Sequence, residues 1–145
     1  MEVVNCEIAC GAGSAQEIAI KADAAAHRNE HLIVLVHEPR FTGGSSHGPE
    51  TGLTAIWNDI AMNGGELAVS GDNHVYERFA RMNGAGALDP GNGMRQFVAG
   101  TGGNGLYQVT PIAGEEASSS PSTVGSSWIW HPTSTAGGSS RPTAT

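Results

Sequence analysis

Two short segments concentrate side chains able to do chemistry: His37-Glu-Pro-Arg40 and Gly71-Asp-Asn-His-Val-Tyr-Glu-Arg78. Each sets imidazole, carboxylate and guanidinium groups within a few residues of one another. A neutral imidazole and a carboxylate at the tips of adjacent strands can reach one divalent cation. Asp72 and His74 are two apart, so an extended segment would point both to the same side. Gly71 would allow the tight bend that turns them toward an ion. His37, Asp72 and His74 are therefore the candidate metal ligands. Spacing alone leaves simpler roles open. A histidine after a strand commonly ends in an ordinary loop hydrogen bond, Tyr76 can pack, and Glu77 with Arg78 can form a surface pair worth under ~1 kcal/mol.

Such residues act together only if the chain brings them to one edge, and the flanking sequence supplies the elements for that. Ser14-Ala-Gln-Glu17 is a capping box, in which the Ser hydroxyl caps a free amide and the Glu reaches back. It predicts a helix over about 15–27 with Ile18, Ala22, Ala25 and Ala26 on one apolar face. His31–His37 encloses an apolar, β-branched run that reads as a buried parallel strand. Thr51–Asn63 suits a helix with Leu53, Ile56, Trp57 and Ile60 at 3–4 spacing, stopped by Gly64-Gly65. Glu66–Ser70 and Met94–Ala99 read as short strands. Strand, helix and strand at these lengths argue βαβ crossovers and an α/β sheet. In such sheets ligands bind beyond the carboxyl ends of the strands, where both segments fall.

Composition narrows the partners. The 145 residues are 39% hydrophobic and 14% charged, with 21 glycines. Seven Lys and Arg face 14 Asp and Glu, for a net charge of −7. Without a basic stripe, binding to a nucleic-acid backbone is not expected. The longest apolar run, Leu32–Val36, has five residues, far from the roughly 20 that cross a bilayer, so no membrane partner is expected. No secretory signal pattern is encoded at the N-terminus. All the acidic residues lie in 1–116, the expected α/β domain. Residues 117–145 form an irregular tail in which 20 of 29 residues are Ser, Thr, Gly or Pro, too polar to build a core of its own. Trp128-Ile-Trp130 is an apolar island within it.

The stretch Asn5–Tyr107 resembles the C-terminal half of a calcineurin-like metallophosphoesterase of the secreted bacterial type related to purple acid phosphatases. The strings that carry the likeness are Cys10–Glu17, Val34–Phe41, Ser45–Gly48, Ser70–Phe79 and Arg95–Gly103. The resemblance implies an α/β fold, here a partial sandwich of the βαβ type, and a two-metal site at the strand ends. It implies hydrolysis of small phosphate esters by a metal-activated hydroxide. The family's His-x-Pro motif falls on His37 and its Gly-His-x-His motif on Gly71–His74. His37 and His74 are then metal ligands, and Asp72 replaces the first histidine, a carboxylate still able to hold a hard cation. His47 falls where the family contacts the substrate phosphate or leaving group. His47 and Asp72 are thus the expected catalytic residues, with His47 and Arg40 as the substrate contacts. The cofactors implied are divalent or trivalent ions of the Fe, Zn, Mn or Ca kind, at reduced occupancy.

The family's N-terminal Asp-x-His, Gly-Asp-x-x-Tyr and Gly-Asn-His motifs have no counterpart ahead of this segment, so at most three ligands are retained and Met1 reads as an internal start. The family also implies a secreted origin and a cysteine-containing region at Cys6 and Cys10, where a disulfide is plausible; spacing alone equally allows two free thiols. Back-translating Ser127–Pro132 in a shifted, GC-rich frame gives Val-Leu-Asp-Leu-Ala-Pro, which matches a family strand. Residues from about 115 onward are therefore expected to be a frameshifted version of the terminal strands. Two other functions stay open beside the hydrolase. One is a non-catalytic fragment that self-associates through exposed sheet edges. The other is a metal-free esterase, ranked last because no Gly-x-Ser-x-Gly elbow is recognised.

Overall fold

The computed structural model describes residues 1–119 except Asn29 and Asn104. The chain opens with a short strand, β1 (Glu2–Val4), and then α1 (Ala15–Ala26). Ser14 caps α1 by accepting from the Glu17 amide at 3.1 Å, and the Glu17 carboxylate reaches back to the Gly13 amide at 3.0 Å. Strand β2 (Leu32–Val36) follows. A 3₁₀ turn, Thr51–Leu53, then runs into α2 (Thr54–Met62). Gly64, at φ 94°, ends that helix in a backbone state other residues resist, and Gly65 begins β3 (Gly65–Ser70). The remaining strands are β4 (Tyr76–Phe79), β5 (Arg95–Ala99) and β6 (Glu115–Ser119).

All six strands form one sheet in the order β1-β2-β3-β5-β4-β6. β1, β2, β3 and β5 are parallel, and β4 lies antiparallel between β5 and β6. The crossovers β1–α1–β2 and β2–α2–β3 step in the same direction, so chain handedness puts both helices on one face. The mixed α/β class expected from the sequence is the one observed.

The core lies under the helices. Leu32, Val34 and Val36 of β2, Ala68 of β3 and Val98 of β5 meet Ile56, Trp57 and Ile60 of α2, all buried. Phe41 sits edge-on to Trp57 at 5.0 Å, and the Trp57 indole N–H donates to the Met82 carbonyl at 2.9 Å. The alternate residues Ile33, Leu35, Leu67, Val69 and Phe97 are half-buried, and Val3 is 66% exposed. Among the described residues no helix or strand covers that second face.

Two local expectations are corrected. The buried face of α1 is Glu17, Ile20 and Ala24, whereas Ile18 is 58% exposed. Alanine marks a helix phase weakly, and the capping Glu17, which also meets Lys21, turns the helix the other way. Glu77 and Arg78 are not a surface pair: Glu77 is fully buried, and Arg78 pairs with Glu116 at 3.1 Å. Strand β6 runs across position 116, so Ala117–Ser119 belong to the sheet. The rest of the Ser/Thr-rich stretch, with Trp128–Trp130 and most of the expected frameshifted segment, lies outside the described residues.

Candidate functional site

The parallel pairing of β2 and β3 brings their carboxyl ends to one edge. His37 follows β2 directly, and the Gly71 amide donates to the His37 carbonyl at 3.0 Å, tying the two tips together. Asp72, next in line, adopts φ 60°, a left-handed state that Asp tolerates better than most residues. The tight bend is therefore at Asp72 rather than at Gly71. It turns the carboxylate between two imidazoles, with Asp72 Oδ1 3.6 Å from His37 Nε2 and 3.7 Å from His47 Nδ1. The Asp72 side chain is 18% exposed and that of His37 71%, so the carboxylate lies deeper than the ring. An open depression of about 370 Å³ beside it is lined by Asn5, His37, Ser70 and Gly71 among others.

His74 goes elsewhere. Because the segment bends at Asp72 instead of running extended, the His74 ring stacks on Tyr107, 4.8 Å between centroids and 4° from parallel. Its Nδ1 is buried without a hydrogen-bond partner among the described residues. Arg40 donates to the Gly84 carbonyl at 2.6 Å, and its guanidinium lies 4.8 Å over the Phe41 ring. Burial lowers its pKa, opposed by nearby Glu50. The structure thus gathers His37, His47 and Asp72 and engages His74 and Arg40 with other partners.

Beneath this cluster is a buried network that sequence reading missed. The Glu77 carboxylate accepts from the Thr42 hydroxyl at 2.6 Å and the Gly43 amide at 2.7 Å. Burial raises its pKa, those two hydrogen bonds oppose the rise, and Glu115 adds to it. Asn73, fully buried, accepts from the His47 amide at 3.0 Å and donates to the His47 carbonyl at 2.6 Å and to Thr42 Oγ1 at 3.0 Å. A signal existed in the sequence: Val75, Glu77 and Phe79 alternate with Tyr76 and Arg78, a period-2 pattern that places a carboxylate on the apolar side. Cys6 and Cys10 form a disulfide with Cα atoms 5.3 Å apart. The string Gly44-Ser-Ser-His-Gly48 spells Gly-x-Ser-x-Gly, but it lies in a loop rather than on a strand-to-helix turn, so it makes no nucleophile elbow.

The donor chemistry bears on the metal. Two donors of a single tetrahedral ion, each about 2.1 Å from it, stand roughly 3.4 Å apart. Each Asp72–His pair has close to that spacing, and imidazole with carboxylate suits first-row cations. Yet no group of three or more His, Cys, Asp and Glu among the described residues is arranged to hold an ion. The described residues do not make a complete one-ion or two-ion centre.

No protein-family model and no curated protein matches the chain. Among solved structures, the fold is similar to that of a purple acid phosphatase from seeds of yellow lupin (Lupinus luteus), with a TM-score of 0.66 and 18% sequence identity. The match covers 81% of this chain and 24% of the phosphatase, so this chain spans about a quarter of that protein's length. The shared feature is the metallophosphoesterase-type α/β fold.

Proposed function

We propose that this chain is part of a phosphate-ester hydrolase of the purple acid phosphatase kind, contributing the C-terminal strand-tip residues of a metal-dependent site. The observation that supports this reading most is the Asp72 carboxylate set between His37 and His47 at the carboxyl ends of parallel strands. Bound ions of the Fe, Zn, Mn or Ca kind would polarise the phosphoryl group and activate water, with further ligands coming from outside the described residues. The chain's own groups act as follows. His47, on the loop over the strand tips, donates to a phosphoryl oxygen or to the leaving group. Asp72 places a negative charge between the two imidazoles, and His37 faces the open depression. His74 stacks on Tyr107, whose ring also lies 6.2 Å from that of His47, whereas Arg40 is held at the Gly84 carbonyl. The substrate class is small phosphate monoesters or diesters. The Cys6–Cys10 disulfide supports a secreted origin, since such bonds persist in oxidising compartments.

The test is elemental analysis of the purified protein together with hydrolysis of p-nitrophenyl phosphate and bis(p-nitrophenyl) phosphate, with and without chelator. Bound metal and chelator-sensitive turnover are expected, and His37→Ala should lose metal while far-UV circular dichroism stays unchanged. Metal content that survives in the variant would overturn the site.

The incomplete ligand set favours a second reading, a non-catalytic fragment that self-associates over its uncovered sheet face and edges. It predicts no stoichiometric metal, no turnover and a concentration-dependent mass by light scattering.

A further inference from the structure

We infer that Asn73 is the positioning residue that sets His47 against Asp72, with Thr42 as its support; the role in phosphate binding rests on the reading above.

His47 sits in an exposed loop with no regular structure of its own. What holds it is a pair of hydrogen bonds from one side chain. The Asn73 amide grips both the N–H and the C=O of His47, as a neighbouring strand would. Asn73 is also the residue next to Asp72, so one side chain fixes the distance between the imidazole and the carboxylate. Its remaining amide proton goes to Thr42 Oγ1, which donates in turn to Glu77. The Gly44 amide also donates to Thr42 Oγ1 at 3.0 Å. Every polar group in this chain of contacts has a partner, and networks of that kind fix one conformation.

The surroundings leave Asn73 no alternative place. A β-carbon on Gly44 would stand 2.7 Å from the Asn73 side chain, and one on Gly100 would overlap the Asn73 carbonyl. Both neighbours lack a side chain where the loop and the end of β5 close on Asn73. The left-handed Asp72 is strained in the ordinary sense, and the anchored Asn73 beside it holds that backbone in place.

The experiment compares Asn73→Ala, Thr42→Val and Thr42→Ser with the wild type in two measurements. The first is the response of the His47 ring resonances to Asp72→Asn, read by NMR. The response should be present in the wild-type and Thr42→Ser backgrounds, and lost in the Asn73→Ala and Thr42→Val backgrounds. The second is binding of inorganic phosphate by titration calorimetry. Asn73→Ala should weaken it about tenfold, the scale of one lost charge-assisted hydrogen bond. Adding His47→Ala on top should weaken it no further, and Thr42→Ser should bind as the wild type does. An unchanged His47 response in Asn73→Ala overturns the inference, whatever the phosphate result. A wild type that binds no phosphate overturns the functional reading alone, because the NMR arm still decides the role of Asn73. If Asn73→Ala does not fold, the Thr42→Val and Thr42→Ser pair gives the same decision.

Discussion

The two faces of the sheet treat a carboxylate in opposite ways. On the helix-bearing face, Glu77 is buried against the 42–43 loop, held by an uncharged hydroxyl and a backbone amide, and burial drives its pKa up. On the face that no described helix or strand covers, Glu116 of β6 meets Arg95 and Arg78, and the hydrogen bond from Arg95 leads the causes that lower its pKa. One face has traded water for a dry, fully bonded interior. The other keeps water and uses opposite charges and half-buried apolar rows. The candidate site sits where the faces meet at the strand tips, with its brace on the dry side and its imidazoles on the wet one. A rigid interior can thereby position groups that solvent still reaches.

The largest expected effect breaks the comparison outright if it fails. Trp57→Ala should cost about 3–5 kcal/mol in a urea melt, since it opens a cavity and removes one of the two donors to the Met82 carbonyl. Leu35→Ala on the uncovered face should cost about 1 kcal/mol, because its side chain is only half withdrawn from water. Equal losses would mean that something covers the second face in solution.

Next in size is a pair of pH effects of opposite sign. The raised Glu77 contributes stability that is fully present below its ordinary pKa of 4.5 and is lost as pH rises through its folded value. The lowered Glu116 contributes stability present above 4.5 and lost as pH falls through its folded value. Glu77→Gln should therefore flatten the alkaline side of a stability–pH curve and Glu116→Gln the acid side. The same flank flattened by both would erase the distinction between the faces.

The smallest effect lies at their junction. Asp72→Gly should stabilise the fold by about 0.5–1 kcal/mol by relieving the left-handed backbone, while removing the link between His37 and His47. A thermal melt showing a loss instead would mean that the carboxylate itself holds the strand tips.

Legibility in the sequence followed the strength of local signals. The capped α1, the apolar β2 and the 3–4 pattern of α2 carry their own instructions, and all three form close to where they are expected. β1 has three residues, too few for a pattern. β6 reads Glu-Glu-Ala-Ser-Ser and forms because β4 offers a partner, a non-local cause that composition conceals. β4 is hard to see because Glu77 and Arg78 look like surface residues, although the alternation around them marks a strand. At the site, the strand-end rule found His37 and Asp72. The pairing of Asp72 with His74 assumed extended backbone, which the left-handed Asp72 does not provide. Asn73 stayed hidden because an asparagine in a loop looks like turn chemistry, and its partners are 26 and 31 residues away.

The crowding around Asn73 also dictates which sequences this chain can drift into. Gly44 and Gly100 are closed to any larger residue, whereas Gly48 and Gly102 have no atom within 4 Å of an added β-carbon. A saturation library selected for folding should fix the first two and scramble the second two. The survivors would outline the packing around one asparagine without any probe of activity.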